Sequence, residues 1–478
     1  MKKIYILALS VLPLAFSSCS GFLDKMPSDS LGEDISITSV KDIRLAINGV
    51  SYLMSEDRMT YSADFAIYAD LLGGDFQPLS DNNQSGPISR YQLNPLDQIP
   101  NDGYMYFYKA IANVNSAIEK SRKLTVADSE KAQYSEYLGQ LYAWRAMLHF
   151  DLARMFCDAP TASDNIEAEN SGLVLSTQVY LPSHVAGRST LKATYEQILA
   201  DFEEALELMS PEAEKENGYL NYHSALALRS RVNLYYGEYA DALADAKGVI
   251  AEGGYELYTA DEYTKVWFEE FTDESIFEMK ISSMYNAQRN SSGYYTSGAG
   301  YGECAFDTDT ELYKYLSDDT KGDIRSELVV FHKKGDKVTG GDVNFEGYYP
   351  AKYPGREGSI YVNNPKVIRL SDVYLIAAEC EVHLGNSSAA AKYVNDIRAN
   401  RIEGYAGVAS VTLDEVLFER RVELFAENSF AFDMWRNKKS IVNFGGKEIT
   451  HEDYSTVMPI PQREIDKAQG LLKQNQGW

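Results

Sequence analysis

Cysteine is scarce in this sequence, which contains 4 cysteines among 478 residues. Apart from Cys19, the remaining Cys157, Cys304 and Cys380 are odd in number and widely spaced, so they provide neither a disulfide framework nor metal-ligand spacing. The 6 histidines are scattered and include no H-E-x-x-H pair. The sequence therefore predicts no metal site. Cys380 falls on an apolar helical stripe, so we expect a buried thiol there.

Basic residues are in the minority. Lysine and arginine number 45 against 70 acidic residues, which gives a formal net charge of −25. No basic stripe opposes this balance, and an acidic protein does not attract nucleic acid through its overall field. We therefore expect no nucleic-acid partner.

Motifs of common enzyme classes are absent. The sequence has no nucleophile elbow and no Walker loop, and the glycines of residues 298–302 lack the spacing and the strand–helix context of a dinucleotide loop. The acidic run 307–311 resembles the start of a calcium loop, but Leu312 stands where that loop needs glycine. We expect no cofactor and no catalytic set, so the protein is predicted not to be an enzyme. The 70 acidic residues leave a glycoside hydrolase carboxylate pair open as a less favoured alternative.

The N-terminal residues predict export and lipid attachment. Lys2 and Lys3 form a charged region, and the apolar run 4–16 is too short to span a bilayer. Residues 1–18 are therefore predicted to be a signal peptide. The run ends in small residues followed by Cys19, which resembles a bacterial lipoprotein cleavage site, with ordinary secretion as the alternative.

Cleavage at this site changes the charge and anchors the chain. Residues 1–18 contain two lysines and no acid, so their removal lowers the formal net charge from −25 to −27. Acyl chains on Cys19 would hold the protein at the membrane, because each buried methylene contributes about 0.8 kcal/mol. The polar residues 19–38 are predicted to be the tether.

Residues 222–253 give the clearest secondary-structure signal. Apolar residues recur at helical spacing on both sides of Gly237, which predicts two antiparallel helices. The pattern, with small residues such as Ala242 in the second helix, resembles a tetratricopeptide repeat. The spacing from Gly385 to Ala390 repeats the spacing from Gly237 to Ala242. We therefore predict a mainly α fold of interrupted tetratricopeptide-like pairs, with irregular insertions and a few short strands.

The chain after residue 38 is predicted to be a single domain with distinct regions. These are a helical scaffold at about 39–72, 103–253 and 371–436, irregular insertions at about 73–102 and 254–370, and a closing segment at 437–478. Within the second insertion, residues 277–281 predict a half-buried strand and residues 328–332 another. Thr308 and Glu311 predict a capping box for a short helix over 312–316.

The C-terminal third carries several motifs in combination. They are I-R-L-S-D-V-Y-L-I-A-A-E at 368–379, E-R-R-V-E-L at 419–424, M-P-I-P-Q-R-E-I-D at 458–466 and Q-N-Q-G-W at 474–478. Together these motifs resemble the SusD/RagB family of outer-membrane nutrient-uptake lipoproteins from Bacteroidetes. The front of the chain is similar too, with Cys19 followed by F-L-D at 22–24. The resemblance therefore covers nearly the whole mature chain.

The resemblance implies a lipid-anchored protein at the cell outer membrane, facing the exterior. Such proteins cover a TonB-dependent, SusC-like barrel as a hinged lid, with helical repeats docking the barrel and irregular insertions binding an oligomeric nutrient. Most family members are linked to glycans, so an oligosaccharide ligand is expected. RagB-like members are linked to peptides, which is the alternative. Within the family's motifs, Arg420, Arg421, Glu423 and Asp433 are expected to form internal ion pairs.

Tyrosine is abundant, with 35 tyrosines against 19 phenylalanines and 4 tryptophans. Exposed tyrosines stack on sugar rings while their hydroxyls form hydrogen bonds, so we place the ligand on residues 75–104 and 284–301. The candidate ligand-binding residues are Asp75, Phe76, Arg90, Tyr91, Asn286, Arg289, Tyr294, Tyr295 and Tyr301. For any single ring, packing onto the helices is the alternative. Residues 280–302 contain two basic residues and no acid, which favours a neutral or mildly anionic glycan.

Overall fold

The computed structural model describes residues 37–80, 84–181 and 183–478. The predicted signal peptide, Cys19 and nearly all of the predicted tether lie outside these residues. Within them the α-helices are α1 (Val40–Leu53), α2 (Tyr68–Gly73), α3 (Gly86–Ser89), α4 (Gln98–Ser121), α5 (Lys131–Phe156), α6 (Leu191–Leu208), α7 (Tyr222–Tyr236), α8 (Tyr239–Glu252), α9 (Ser292–Tyr295), α10 (Glu311–Leu316), α11 (Leu370–His383), α12 (Ser387–Ala399), α13 (Leu413–Glu423), α14 (Phe430–Arg436) and α15 (Gln462–Lys467).

The strands are short and pair two by two. They are β1 (Phe76–Gln77), β2 (Ser275–Glu278), β3 (Ala305–Phe306), β4 (Val329–His332), β5 (Lys337–Val338), β6 (Gly341–Asp342), β7 (Gly347–Pro350), β8 (Lys366–Arg369), β9 (Ile441–Val442) and β10 (Glu448–Ile449). The antiparallel pairs are β1–β3, β2–β8, β4–β7, β5–β6 and β9–β10. This mainly α architecture with a few short strands confirms the predicted fold class.

The two predicted helical hairpins form and stack. Gly237 ends α7 with a φ of +91°, and Gly385 separates α11 from α12 with a φ of +84°, a conformation that glycine adopts without steric cost. Ala242 on α8 and Ala390 on α12 are fully buried, so the paired helices approach closely. Helix α8 also packs against α11, which brings the two distant pairs together in space. The interrupted repeat is therefore continuous in three dimensions.

Helix α5 is the centre of the other half of the scaffold. It packs against α1, α4 and α6, and its residues from Tyr137 onward are almost all buried. One hydrophobic cluster extends from Ile37 to Leu472 and joins this layer to the stacked hairpins. Cys380 is fully buried in the same cluster, as predicted. None of the described helices is both long and apolar enough to cross a membrane.

Two local predictions in the second insertion are corrected by the structure. The predicted strand over 277–281 is β2, which ends at Glu278 and is buried on both faces rather than on one. Glu278 is buried because Lys366 Nζ lies 2.8 Å from its carboxylate and Asn364 Nδ2 donates to it at 2.7 Å. The short helix is α10, and Thr310 caps it in place of the predicted Thr308.

The charged residues of the family-like motifs form internal ion pairs, as predicted. Arg420 Nε lies 2.8 Å from Asp433 Oδ2, and Arg421 Nε lies 2.8 Å from Asp75 Oδ2. Glu423 is fully buried among three guanidinium groups, those of Arg325, Arg369 and Arg401. Burial opposes its ionisation, but these arginines hold the pKa of Glu423 well below its usual range.

The closing segment 437–478 packs against the C-terminal end of α5. Met458 N donates to Met155 O at 2.7 Å, and Asn475 Nδ2 donates to Phe156 O at 2.9 Å. Gln462 N, at the start of α15, donates to Pro95 O at 2.9 Å. These contacts tie the end of the chain to α5 and to the loop before α4.

Candidate functional site

The two irregular segments chosen from the sequence meet in the structure. Strand β1 of the first segment pairs with β3, which follows the second segment, with Phe76 opposite Phe306. Next to this pair, Leu79 N donates to Gly302 O at 2.8 Å. Residues separated by more than 200 positions therefore share one surface, as the sequence-based choice of these segments requires.

Glu303 organises the loop of the first segment. Its carboxylate is fully buried and accepts hydrogen bonds from the backbone N–H and the hydroxyl of Ser85. Gly86 N donates to the same carboxylate at 3.2 Å, and Ser80 Oγ donates to it at 3.4 Å. A buried carboxylate is stable when several donors surround it in this way. The loop before α3 is thus held against the segment that carries the tyrosines.

Three half-buried tyrosines, which we call the tyrosine cluster, lie together on this surface: Tyr294, Tyr301 and Tyr361. The Tyr294 ring lies 4.8 Å from the Tyr301 ring in an edge-to-face contact and 5.6 Å from the Tyr361 ring. No hydrogen bond of their three hydroxyls occurs within residues 37–80, 84–181 and 183–478. The cluster therefore presents aromatic surface together with free hydrogen-bonding groups.

Glycines allow the tyrosine segment to pack this closely. A Cβ at Gly300 would overlap the Tyr294 carbonyl oxygen, which accepts a hydrogen bond from Tyr301 N at 2.8 Å. A Cβ at Gly293 would overlap the Ile360 carbonyl oxygen next to Tyr361. The glycine-rich composition of this segment is explained by these close approaches of backbone to backbone.

Burial corrects the expected exposure of four predicted ligand-binding residues: Asp75, Phe76, Asn286 and Tyr295. Tyr295 is fully buried beneath the cluster, with its ring 5.3 Å from the Tyr301 ring. Phe76 is 1% exposed and packs on Phe306 at 4.8 Å. Asp75 is 2% exposed, and its ion pair with Arg421 occupies both carboxylate oxygens. Ring packing explains why Tyr295 and Phe76 are buried, and the ion pair with Arg421 explains why Asp75 is buried.

Asn286 and the other predicted residues occupy several places. Asn286 is buried and shapes its own loop, since its Nδ2 donates to Ser282 O at 2.9 Å and its Oδ1 accepts from Gln288 N at 2.9 Å. Tyr91 is half-buried, and its hydroxyl donates to Leu72 O at 2.7 Å. Arg90 is half-buried at the end of α3, and its guanidinium lies over Gly86. Arg289 is exposed next to the tyrosine cluster.

Acidic residues in the loop after α1 lie beside the second segment, and Asp57 contacts it directly. Asp57 accepts a hydrogen bond from Asn290 Nδ2 at 3.0 Å and another from the hydroxyl of Tyr106. Burial, reinforced by the charge of Asp57, raises the pKa of Glu56. The charge-poor segment 280–302 thus lies beside acids that come from elsewhere in the chain.

The basic groups near Tyr301 only partly offset these acids. Arg58 Nη2 lies 3.6 Å from Asp64 and donates to Gln84 O at 2.6 Å, so its charge is already paired. Burial raises the pKa of Tyr301, while the charges of Arg289 and Arg58 act in the opposite direction. The surface therefore carries acidic and basic groups together rather than a field of one sign.

Sequence reasoning missed Asp57, Tyr106 and Tyr361 as members of this surface. Asp57 lies in the polar run S-E-D-R after α1, a signal that could have marked a functional loop. Tyr361 lies in the second insertion, but nothing in its local sequence distinguishes it from the other tyrosines. No group of His, Cys, Asp or Glu side chains among the described residues is arranged to hold a metal ion.

Comparison with known families decides the identity of the chain. Residues 236–478 match the model described as SusD family, which spans half of the sequence. The chain belongs to the SusD family. Residues 21–234 match a second model of the same group, SusD-like, described as starch-binding associating with outer membrane.

Individual SusD-like proteins align along almost the full chain. SusD-like protein P38 from Formosa agariphila is 23% identical and covers 93% of this chain and 94% of its own length. A SusD superfamily protein from Bacteroides thetaiotaomicron superimposes with a TM-score of 0.82, 29% identity, and coverage of 92% of this chain and 100% of that chain. A laminarin-binding SusD-like protein has a TM-score of 0.74 and 22% identity over 92% of this chain and 100% of that chain.

Proposed function

We propose that this SusD-family protein is a non-catalytic surface protein that captures neutral glycan oligomers on the tyrosine cluster. The observation that carries the proposal is the arrangement of Tyr294, Tyr301 and Tyr361, whose rings are held together while their hydroxyls remain unbonded within the described residues. Sugar rings offer an apolar face for stacking and hydroxyls for hydrogen bonding, which matches such a surface.

The residues beneath and beside the tyrosine cluster hold it rigidly, which also favours ligand binding. Tyr295 packs beneath the cluster, Ser62 O accepts a hydrogen bond from Ser292 N at 2.9 Å, and buried Glu303 holds the facing loop. A binding surface that is already ordered loses little side-chain entropy when the ligand arrives. Aromatic rings with two rotatable bonds lose less than long polar side chains do.

Charge narrows the ligand class. Asp57, which contacts Asn290 of the tyrosine segment, repels anions, and the positive charge of Arg58 is already paired with Asp64, while the exposed Arg289 acts in the opposite direction. A neutral glycan therefore fits better than a uronate- or sulfate-rich one. The family model over residues 21–234 is described as starch-binding, and a structural relative is described as laminarin-binding, which supports a glucan-type ligand.

Binding should be measured by calorimetry on the full-length protein with maltohexaose and laminarihexaose, beside a panel of peptides. Tyr301→Ala and Tyr294→Ala are each expected to weaken oligosaccharide binding about 5- to 150-fold, which corresponds to about 1–3 kcal/mol for an aromatic anchor. The matched control is Tyr393→Ala on α12, another half-buried ring with an edge contact, to Tyr374 at 6.0 Å, and it should leave binding unchanged.

Each alternative has its own outcome in this experiment. Binding of peptides but of no oligosaccharide would assign the protein to a RagB-like peptide-binding role. Shortened oligosaccharides after incubation would show a surface glycoside hydrolase. Equal binding by wild type and both cluster variants would place the glycan elsewhere on the chain.

We further propose that the protein is lipid-anchored through Cys19 at the outer membrane, faces the exterior, and delivers its ligand to a TonB-dependent, SusC-like barrel. Family membership and the description of the N-terminal match as associating with outer membrane support this role. The stacked hairpins α7–α8 and α11–α12 offer an extended helical surface for a partner. A stable complex should bury more than ~1,000 Å² and survive gentle detergent extraction, so purification of monomer alone would argue strongly against it.

A further inference from the structure

A second concave site lies apart from the tyrosine cluster. A cleft of about 910 Å³ opens between the C-terminal end of α5, the loop 158–171, helix α14 and the closing segment. None of the three cluster tyrosines lines it. Its volume is within the range of about 300–1,000 Å³ that is typical of small-molecule sites.

Trp435 in the wall of this cleft has an unused hydrogen-bond donor. The residue is 5% exposed, and its Nε1 is buried without an acceptor among the described residues. Phe432 and Tyr91 contact the ring edge-to-face at 6.5 Å each and hold its position. A buried indole N–H normally finds an acceptor, because leaving it unpaired is costly. Because the N–H itself has almost no exposed surface, the Trp435 indole is a reporter in the wall of the cleft rather than a contact for its contents.

The rim of the cleft presents an aromatic face. Tyr454 lines the cleft and is 50% exposed. Trp478 packs edge-to-face on it at 4.9 Å, and Trp478 Nε1 donates to the backbone oxygens of Tyr454 and Val457 at 3.2 Å each. The Tyr454 ring is thus exposed but supported, which suits stacking against the apolar face of a sugar.

Charge in the cleft disfavours anions. The acidic residues that line it are Asp158, Asp164, Glu169, Glu452 and Asp453. Among its three lysine and arginine side chains, Arg154 is paired with Asp151, Arg188 donates to Gly172 O and to Asn475 Oδ1, and Lys473 is exposed. Carboxylates accept hydrogen bonds from sugar hydroxyls, whereas they repel carboxylate or sulfate groups on a ligand.

We propose that this cleft is a second carbohydrate site that takes the end of a neutral oligosaccharide. The Tyr454 ring stacks on a sugar face, and carboxylates such as those of Glu452 and Asp453 accept from sugar hydroxyls. The ligand class is the one given under the proposed function, but the residues are different. The test of one site can therefore fail while the test of the other succeeds.

The test follows the indole N–H signals of the 4 tryptophans by NMR in the full-length protein. The probes are maltohexaose, laminarihexaose and, for basic peptides, trilysine. Trp435→Phe assigns the Trp435 signal and removes the donor. That signal is expected to move saturably with at least one hexasaccharide, both in wild type and in Tyr301→Ala, which removes the first site only.

A second variant shows whether a loss of binding could come from misfolding. Tyr454→Ala changes an exposed ring, so its melting temperature should match that of wild type, while the Kd at the cleft rises about 5-fold or more. No movement of the Trp435 signal with either hexasaccharide would overturn the proposal. Movement with trilysine alone would also overturn it, because the cleft would then be a site for basic peptides.

Discussion

Replacing Glu423 with glutamine tests whether the charged motifs of the C-terminal third are structural. Glu423 on α13 is fully buried, and Arg325, Arg369 and Arg401 reach its carboxylate at 2.7–3.3 Å. Because these arginines come from the second insertion, from β8 and from the end of α12, the carboxylate joins the insertion to the scaffold.

The size of the effect follows from charge balance. In the part of the chain that the structure describes, five cations and five anions form one connected network: Arg325, Lys352, Arg369, Arg398 and Arg401 with Glu274, Asp323, Glu419, Glu423 and Glu427. Glu423→Gln leaves one uncompensated buried positive charge. Breaking a buried pair costs about 3–5 kcal/mol. Since each arginine keeps another carboxylate, we expect a loss of about 3 kcal/mol.

Urea unfolding at pH 7 measures this loss. The matched control is Glu415→Gln on the same helix, an exposed side chain in a capping box that glutamine also satisfies, with an expected loss below ~1 kcal/mol. If Glu423→Gln and Glu415→Gln lower the free energy of unfolding by the same small amount, the network does not hold the insertion and the reasoning is wrong.

Two further predictions concern acid stability and membrane attachment. Burial opposes ionisation of Asp372, but Arg231 and Arg420 hold its pKa at about 2, below the usual 3.8. Its contribution of about 2–3 kcal/mol is therefore present above pH ~4 and lost as pH falls toward 2. The difference in free energy of unfolding between wild type and Asp372→Asn should shrink over that range, and a difference independent of pH would contradict this. Cys19→Ala should release folded protein from membranes in cells that lack the partner barrel. Membrane fractions that still hold the variant would exclude lipid attachment at that residue.

Local signals in the sequence were sufficient for the scaffold. Gly237 and Gly385 interrupt the apolar helical periodicity at equivalent positions. In the structure Gly237 ends α7 and Gly385 lies between α11 and α12, as the pattern predicts. The ion pairing of the charged motif residues was also predictable, because Arg420 and Glu423 lie among apolar residues of a helix and need partners when buried. The helical pattern depends on neighbours within one or two helical turns, whereas the ion-pair partners, such as Arg369 for Glu423, come from distant parts of the chain.

The binding surface depends on contacts that the sequence does not display. Tyr294 and Tyr295 are adjacent, yet one ring faces the surface and the other is fully buried, because the short helix α9 turns them in different directions. Tyr361 and Asp57 join the surface from segments about 70 and 230 residues away, through packing and through the Asn290 hydrogen bond. Composition alone led to the choice of this segment as the candidate surface, but it did not show which of the rings are exposed.

The central claim is that the tyrosine cluster receives a neutral glycan, and a crystal structure of the full-length protein with the tightest-binding hexasaccharide tests it most directly. We expect a sugar ring stacked on Tyr294, Tyr301 or Tyr361, with at least one of their hydroxyls within 3.2 Å of a sugar oxygen, roughly the upper limit of a good hydrogen bond. Sugar density at other residues, with the cluster unoccupied, would contradict the account.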